Sequence, residues 1–538
     1  MKKINITLLI ILLFLVSCGG SKKDANLPDP KVKVSENDMG WEKDKREVTL
    51  DWYINFPWFG GKWGEDIATQ NITEKTGVKV NYIIPTGDGT EKLNTMIASN
   101  TLPDIITLEV NSNLIEQLIK SKKVYALDEL AKKYDMYFFK VASPNKLEWF
   151  KQPDGHTYEY PNASYTPDDY KTIKNIKSNN TFLVRKDIYE AIGKPDMSTK
   201  EGFLKAMRDA KAKFPNINGQ PLIPLGLMEF QNNGDSSLGS YLQDFLAIPL
   251  EKDGKLYDRY SDKEYVEWLK VIREMNQEGL LSPDVFVDKR SQIEEKIAQG
   301  RYFAMMYPYI DALRPLTDRY SKDVNSAYIA VDGPKNNAKS QHTLVGPGIS
   351  GWTVTLISKK AKDPEKAIRF ISYLISEEGQ RDIYLGKKGV TWDNINGKDQ
   401  LLPEVLKMKE QDRTKFDKTY GIDNLHWMLM DNAMQQKKWG VTLDGPIKQL
   451  TEWTYDKVMP RFETELIEPT ERSEEGIIAT KIAIKWYQIL PKLLTSKSDA
   501  EFDQLYTQYM KEKNDLGFSK LMAYRDVKYQ ENKKKLKK

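Results

Sequence analysis

The chain has 538 residues, of which 40% are hydrophobic and 29% are charged, so it is long enough for two or three domains and suits a soluble globular protein. The 81 lysine and arginine residues nearly balance the 77 aspartate and glutamate residues, which argues against a nucleic-acid-binding surface. The basic run Lys533–Lys538 is therefore interpreted as a solvated tail.

The N-terminus has the pattern of a secretion signal. Two lysines precede a mostly apolar run, Ile4–Val16, which is too short for a comfortable membrane-spanning helix. Cys18, the only cysteine of the chain, follows after Ser17 and resembles the acylated cysteine in the lipobox of bacterial lipoproteins. The alternative is an ordinary signal peptide with an incidental cysteine. We expect residues 1–17 to be a lipoprotein signal peptide, Cys18 to carry the lipid, and the mature protein to be extracytoplasmic and membrane-anchored.

The next segment, residues 18–46, is polar and contains prolines, which predicts a flexible tether without a core. A first strand follows at Val48–Ile54, and an aromatic loop leads from it into a helix that ends at Gly77. Further strands and helices alternate up to Leu108, which predicts an α/β fold with a parallel sheet. Ligands of such sheets bind beyond the carboxyl ends of the strands, where Phe56–Trp63 and Glu109–Asn113 lie.

Several segments resemble the extracellular solute-binding proteins (family 1) of ABC importers, in the long-chain, lipid-anchored, carbohydrate-binding branch. The resemblance covers most of the chain from about residue 48. It depends on the order and spacing of the segments together, because no single motif is decisive. The segments are Ile72–Ile83, Glu91–Ile106, Asp154–Asn162, Glu294–Tyr309, Gly346–Gln380 and Phe502–Gln530.

The resemblance implies a two-lobed periplasmic-binding-protein-like fold of type II, with a helical C-terminal extension and chain crossings near Tyr160, Val345 and Val390. The first lobe then combines residues 47–160 with 346–390, and the second combines 161–345 with 391–538. Within the segment that returns to the first lobe, Asp363 and Ser376 have the pattern of helix N-caps, and the second of these helices should end at Gly386.

Three motifs have the residue types of other chemistry. Gly346–Gly351 matches GxGxxG, but a strand follows it instead of a helix, so we interpret it as a flexible crossing. The loop around Asn216–Asn218 lies where many relatives carry a calcium loop, yet both principal carboxylates are absent; a turn without metal is expected, and a degenerate calcium site stays open. The three histidines are scattered, so neither zinc nor another cofactor is predicted.

Aromatic side chains at predicted loop ends suit the CH faces of sugar rings, and nearby carboxylates, amides and a guanidinium suit the hydroxyl groups. For each of these residues a role in the core is the alternative. The candidate aromatic ligand-binding residues are Trp58, Phe59, Trp63, Tyr160, Tyr307, Tyr309, Trp352 and Trp392, and the polar ones are Asp66, Glu109, Asn111 and Arg185. If the ligand is a uronate, Lys62 or Arg185 would supply the counter-charge.

The sequence therefore predicts a binding protein, not an enzyme, that closes on an oligosaccharide between two lobes. The expected partners are that oligosaccharide, the permease subunits of an ABC transporter and the membrane; no nucleic acid is expected, and the protein should be a monomer. Two alternatives remain: a lipid-anchored glycan-degrading enzyme, which would need two carboxylates about 5 to 10 Å apart, and a carrier of a peptide or other polar solute.

Overall fold

The structure is a computed structural model that describes residues 27–231, 234–422, 425, 427–440 and 445–537. The predicted signal peptide, Cys18 and His426 lie outside the described residues. Two large sheets form the centres of two lobes. Their strands, with the short pair between the lobes, are β1 Val48–Ile54, β2 Val78–Ile83, β3 Ile105–Glu109, β4 Glu159–Pro161, β5 Asn180–Arg185, β6 Ile223–Gly226, β7 Tyr302–Pro308, β8 Tyr328–Ala330, β9 Leu344–Val345, β10 Thr353–Ile357 and β11 Val458–Met459.

The sheet of the first lobe has the order β2-β1-β3-β10-β4. β1 is parallel to β2 and to β3, whereas β10 returns antiparallel beside β3, with Thr353 opposite Glu109. Buried residues dominate β3 and β10, as expected for strands covered by helices on both faces. The helices of this lobe and of the segment packed on it are Ile67–Thr76, Gly89–Ser99, Asn113–Lys120, Leu127–Tyr134, Phe138–Val141, Pro144–Trp149, Pro364–Ile375, Glu377–Leu385, Pro403–Gln411 and Arg413–Tyr420.

The sheet of the second lobe has the order β8-β5-β7-β6, and every residue of β7 is buried. β7 is antiparallel to β5 and parallel to β6. The principal helices of this lobe are Lys186–Ala191, Lys200–Lys213, Lys263–Gln277, Arg290–Gln299, Leu313–Lys322, Gly445–Thr454, Glu474–Thr495, Asp499–Asp515 and Phe518–Lys535. No helix among the described residues has both the length and the apolar character that crossing a membrane requires.

Local sequence signals set several helix ends as predicted. The helix Ile67–Thr76 ends at Gly77, whose φ of 71° places it in the left-handed region that favours glycine. Asp363 caps the helix Pro364–Ile375 by accepting a hydrogen bond from the Lys366 amide, and Ser376 caps the next helix in the same way.

The second lobe begins later in the C-terminal half than the expected boundary at Val390. Residues on both sides of the helix Arg413–Tyr420 pack into the first-lobe core, where Trp427 and Val405 are buried together with Leu50 and Trp52. The chain then passes through Asn432–Lys438, where Ala433 packs with Tyr165. The third crossing is therefore formed by the chain after Met430, because the apolar faces of residues 403–430 are satisfied by the first lobe.

The predicted flexible tether is wrong over its described part, residues 27–46. Trp41 is only 2% exposed and packs edge-on against Tyr137 and Tyr373, with ring centroids 5.4 and 5.8 Å away. Asp44 is fully buried, and its carboxylate lies 2.9 Å from a guanidinium nitrogen of Arg369. This segment docks on the first lobe because the Trp41 ring and the Asp44 carboxylate contact residues that lie more than 90 positions away in the sequence.

The C-terminal basic run is also not a solvated tail over its described part. It continues the helix Phe518–Lys535, where Lys533 forms an ion pair with Glu251 and the Lys535 ammonium donates to the Trp149 carbonyl at 2.9 Å. The C-terminal helix therefore reaches from the second lobe to the first.

Candidate functional site

The site is formed where β1 and β3 end and β10 begins. Asn55 follows β1, and its amide donates to the Thr107 carbonyl at 3.2 Å. The Val110 amide donates to the Trp352 carbonyl at 3.1 Å, which fixes Trp352 beside Glu109 and Asn111. The topology thus brings together residues from three separate parts of the sequence at the carboxyl edge of the parallel strands.

Three aromatic rings form an open cluster at this edge. Trp58 and Trp352 lie nearly parallel, with ring centroids 6.4 Å apart and planes 13° apart. Phe56 is buried beneath both, at 5.3 Å from Trp58 and 4.9 Å from Trp352. Trp58 is 60% exposed, although a tryptophan gains much from burial. Two neighbouring indole rings held on a buried phenylalanine offer an apolar surface for a flat ligand.

The larger cavity at the site has a volume of about 500 Å³ and lies between the lobes. The first lobe contributes Asn55, Glu109 and Asn111, together with residues of the helices Gly89–Ser99 and Asn113–Lys120. The second lobe contributes Thr470, Glu471 and Arg472, which precede the helix Glu474–Thr495. The lining is polar and rich in amides and carboxylates, so this cavity can bind hydroxyl groups from both sides.

A second cavity of about 400 Å³ lies on the other side of the aromatic loop, within the first lobe. Trp58 lines it together with Phe59, Asp66 and Trp427. Phe59 is buried against Trp427, with ring centroids 3.9 Å apart. Asp66 caps the helix Ile67–Thr76 by accepting from the Thr69 amide at 2.8 Å, and burial raises the pKa of its carboxyl group. Trp58 is thus shared between this cavity and the ring cluster.

The structure places the candidate residues in different environments. Trp58, Trp352, Glu109 and Asn111 lie together at the strand ends, and Phe59 and Asp66 lie beside them in the smaller cavity. Trp352 contacts Trp58 but lines neither cavity, and the remaining six side chains also line neither cavity.

Two of these six, Trp63 and Trp392, are packed within the first lobe. The Trp63 indole donates to the Thr73 hydroxyl at 2.8 Å, and the Trp392 indole donates to the Gly386 carbonyl at 3.0 Å. Tyr160 is also buried there, and its hydroxyl accepts from the Ser143 amide. In each case, the polar atom of the ring has an internal partner, so the ring serves the core.

The other three lie in the second lobe. Tyr307 and Tyr309 are at most 3% exposed within and just after β7, and burial raises the pKa of Tyr307 to about 12. Arg185 lies at the opposite end of β5 from the cleft, where its guanidinium pairs with Asp187 and donates to the Gly300 carbonyl at 2.7 Å. Arg185 is therefore not a counter-charge for a ligand in either cavity.

Sequence reasoning missed the second-lobe side of the larger cavity, Thr470–Arg472. These residues are polar and lie in a loop more than 350 positions from Glu109, and no local motif marks them. It also missed Asn94 and Gln117, which line the cavity from helices. Only the three-dimensional arrangement of the two lobes identifies these residues.

The glycine-rich crossing is held by specific contacts. Gly351 has a φ of 70°, and a Cβ atom there would lie 1.9 Å from the Asn162 carbonyl oxygen. The Glu465 carboxylate accepts from the Ile349 amide at 3.0 Å and from the Ser350 amide at 2.7 Å, and a Cβ on Gly348 would meet it. The Glu465 carboxylate thus caps the crossing, so these glycines serve close packing as well as bending.

The loop around Asn216–Asn218, where the sequence predicts a turn without metal, is a tight hairpin. Asn216–Ile217 pairs with Gln220–Pro221, and Asn218 and Gly219 both have positive φ, as in a two-residue Asn-Gly turn. Within the described part of the chain, no three or more His, Cys, Asp or Glu side chains are grouped so that they could hold a metal ion.

Two α/β lobes joined by chain crossings, with a polar cavity that both lobes line, are the arrangement of a solute-binding protein. The chain belongs to the bacterial extracellular solute-binding protein family, whose profile matches residues 68–391, more than half of its length. The family resemblance found in the sequence is therefore confirmed.

Two curated relatives share part of the chain. It is 25% identical over 284 residues to the fructooligosaccharide ABC transporter substrate-binding protein FusA of Streptococcus pneumoniae, which covers 51% of each chain. It is 22% identical over 349 residues to the lipoprotein LipO of Bacillus subtilis, which covers 63% of this chain and 65% of LipO. The chain thus matches about half to two thirds of the length of these relatives.

Solved structures match nearly the whole chain. FusA of S. pneumoniae in complex with kestose superposes with a TM-score of 0.64 at 18% identity, over 90% of this chain and 99% of FusA. An HMO-binding, ABC-transporter-associated solute-binding protein from Bifidobacterium longum infantis superposes with a TM-score of 0.66 at 16% identity, over 90% of this chain and 98% of its own. These matches confirm the predicted two-lobed α/β fold.

Proposed function

We propose that this protein captures an oligosaccharide between its two lobes and delivers it to the permease subunits of an ABC transporter, without chemical change to the sugar. The observation that carries the proposal is the polar cavity that both lobes line, with Trp352 held next to its lining residues Glu109 and Asn111 by the Val110 amide and with the Trp58 ring parallel to that of Trp352. Sugar rings present CH faces to such rings and hydroxyl groups to the surrounding amides and carboxylates. The sugar ligands named for similar structures support this assignment.

We further propose that the protein is an extracytoplasmic monomer anchored to the membrane by a lipid on Cys18. The lipobox-like sequence supports this, as does the similarity to a protein named as a lipoprotein. The docked segment begins near Leu27, which packs against the first-lobe core. The nine residue steps from Cys18 to Leu27 can span at most about 30 Å. The first lobe is thus kept close to the membrane.

Closure is what makes binding useful for transport. A permease can distinguish loaded from empty protein only if the ligand binds the closed form more tightly than the open form. Contacts from Glu109 on one lobe and Glu471 on the other side of the cavity can be made together only when the lobes are close.

The test is a thermal-shift screen of the mature chain carrying Cys18→Ser against oligosaccharides, followed by calorimetric titration of each hit. We expect a saturable shift with a stoichiometry of one, and chromatography of the sugar after incubation should show no shorter products. Trp58→Ala and Trp352→Ala should each weaken binding at least tenfold. Trp439→Ala is the control, because Trp439 contacts Tyr384, lies outside the ring cluster of Phe56, Trp58 and Trp352, and lines neither cavity. Release of shorter sugars would instead favour a glycan-degrading enzyme.

A further inference from the structure

The charges around the two cavities bear on the charge of the cargo. In the larger cavity, Glu109, Glu116 and Glu471 face two cationic residues, Lys120 and Arg472. Lys120 forms an ion pair with Glu116 on the same helix, so its charge is already matched. Among the described residues, this lining therefore leaves two carboxylates, one from each lobe, against one guanidinium.

The smaller cavity has no excess of positive charge either: Asp417 lies 2.8 Å from Arg413, so that Asp66 and Lys418 remain once the ion pairs are counted. Glu65, Asp66 and Asp417 face Lys62 and Lys418. Lys62 lies 3.4 Å from a Glu65 carboxylate oxygen, so it is paired within the loop. From their positions in the sequence, Lys62 and Arg185 are the two residues expected to supply a positive charge opposite an acidic sugar. One is paired locally, and the other lies at the far end of its strand.

The remaining polar groups of the larger cavity are suited to uncharged hydroxyl groups. Five side-chain amides line it, and each offers a donor and an acceptor at neighbouring atoms; they are Asn55, Asn94, Asn111, Asn113 and Gln117. Carboxylates act as acceptors for hydroxyl donors and repel anionic groups. Recognition of a carboxylate or sulfate instead favours bidentate arginine or clustered cations.

We propose that the cargo is a neutral oligosaccharide, free of uronate and sulfate groups. This rests on the proposed function and specifies the ligand of that same site. Glu109 and Glu471 accept hydrogen bonds from hydroxyl groups at opposite sides of the cavity, and the amides complete the polar contacts. The stacked rings Trp58 and Trp352 hold the CH faces, which are present in neutral and acidic sugars alike and so do not select between them.

The experiment compares neutral and acidic oligosaccharides of equal length by calorimetric titration of the mature chain carrying Cys18→Ser. The neutral arm contains fructo-, manno-, xylo- and cello-oligosaccharides, and the acidic arm contains oligogalacturonates and alginate oligomers. We expect the tightest neutral ligand to bind at least tenfold more tightly than any acidic one. Its affinity should change less than about twofold between 50 and 500 mM salt, because no net charge is being neutralised.

A charge-reversal variant makes the test independent of which neutral sugar fits best. Glu471→Lys should weaken the binding of the neutral ligand. It should also reduce the ratio of the affinities for neutral and acidic oligomers at least fivefold. Glu468→Lys is the matched control, because Glu468 lies on the same loop, pairs with Arg525 and does not line the cavity. The Glu468→Lys variant should leave the ratio of the affinities for neutral and acidic oligomers unchanged.

The outcomes separate the two proposals. Tighter binding of an acidic oligomer to the unmodified chain would overturn this inference and leave the oligosaccharide carrier standing. Absence of binding in both arms would contradict the carrier proposal and this inference with it. Neutral binding that Glu471→Lys and Glu468→Lys affect equally would overturn the role assigned to the cavity charges.

Discussion

Asp44→Asn tests whether residues 27–46 form part of the first lobe. The Asp44 carboxylate is completely buried and lies 2.9 Å from Arg369 and 2.6 Å from Arg46. Burial opposes its ionisation, but hydrogen bonds from Arg46 and the nearby Lys366 charge outweigh this and lower its pKa from 3.8 to about 2. This lowering of the pKa corresponds to roughly 2 kcal/mol of stability.

The asparagine variant should lose roughly that amount of unfolding free energy at pH 7, and up to about 4 kcal/mol because Arg369 is left buried with Glu365 as its main counter-charge. The sign follows from the lowered pKa of the folded state. The stabilisation is fully present above pH 4 and is lost as the pH falls towards 2. The stability difference between the wild type and the variant should therefore shrink over that range.

The assay is urea unfolding monitored by fluorescence between pH 3 and 8. Asp29→Asn is the matched control, since Asp29 belongs to the same segment and pairs with Lys133, but its side chain is 98% exposed. It should leave the unfolding midpoint unchanged within error. If Asp44→Asn behaves like Asp29→Asn, residues 27–46 do not dock on the first lobe, and the segment is a tether after all.

Three further predictions concern the crossing, a buried acid and a corrected site residue. In urea unfolding, Gly351→Ala should destabilise the protein by at least about 3 kcal/mol, because its Cβ would lie 1.9 Å from the Asn162 oxygen. Gly389 has a φ of 73° and no atom within 4 Å of a Cβ position, so Gly389→Ala should cost about 1 kcal/mol. Equal losses in the two variants would contradict the close approach at Gly351. Burial raises the pKa of Glu159 to about 8, so the stability that its protonated form provides is fully present below about pH 4.5 and is lost as the pH rises towards 8. Between pH 4.5 and 7, the free energy of unfolding of Glu159→Gln should fall by about 3 kcal/mol less than that of the wild type. Parallel pH profiles of the variant and the wild type would show that burial does not raise the pKa of Glu159. Arg185→Met should lower stability while leaving oligosaccharide affinity within twofold, because its guanidinium pairs with Asp187 far from both cavities; a tenfold loss of affinity in calorimetry would return Arg185 to the binding site.

Local patterns in the sequence were sufficient for the framework of the first lobe. The alternation in Val48–Ile54, the glycine at position 77 and the cap at Asp363 depend on neighbours within a few residues, and the structure has each as predicted. Strand order then places the loops after β1 and β3 at one edge, which is why Trp58 and Glu109 could be grouped from the sequence.

Contacts between residues that are distant in the sequence could not be predicted from local patterns. Aromatic residues at apparent loop ends look alike in sequence, and only the structure shows that Trp63 finds Thr73 whereas Trp58 remains open to solvent. Residues 27–46 have the composition of a linker, yet Trp41 and Asp44 find partners in the helix Pro364–Ile375 and its neighbours. Thr470–Arg472 reach the cavity from the opposite lobe, a relationship that no local pattern encodes.

Small-angle X-ray scattering during titration with the tightest neutral oligosaccharide tests the central claim, that cargo binds between the lobes and draws them together. The radius of gyration should fall and saturate at one ligand per protein, and Trp58→Ala with Trp352→Ala should require at least a tenfold higher ligand concentration for the same fall. Saturable binding with unchanged scattering, or with an affinity that the two substitutions leave untouched, would contradict it.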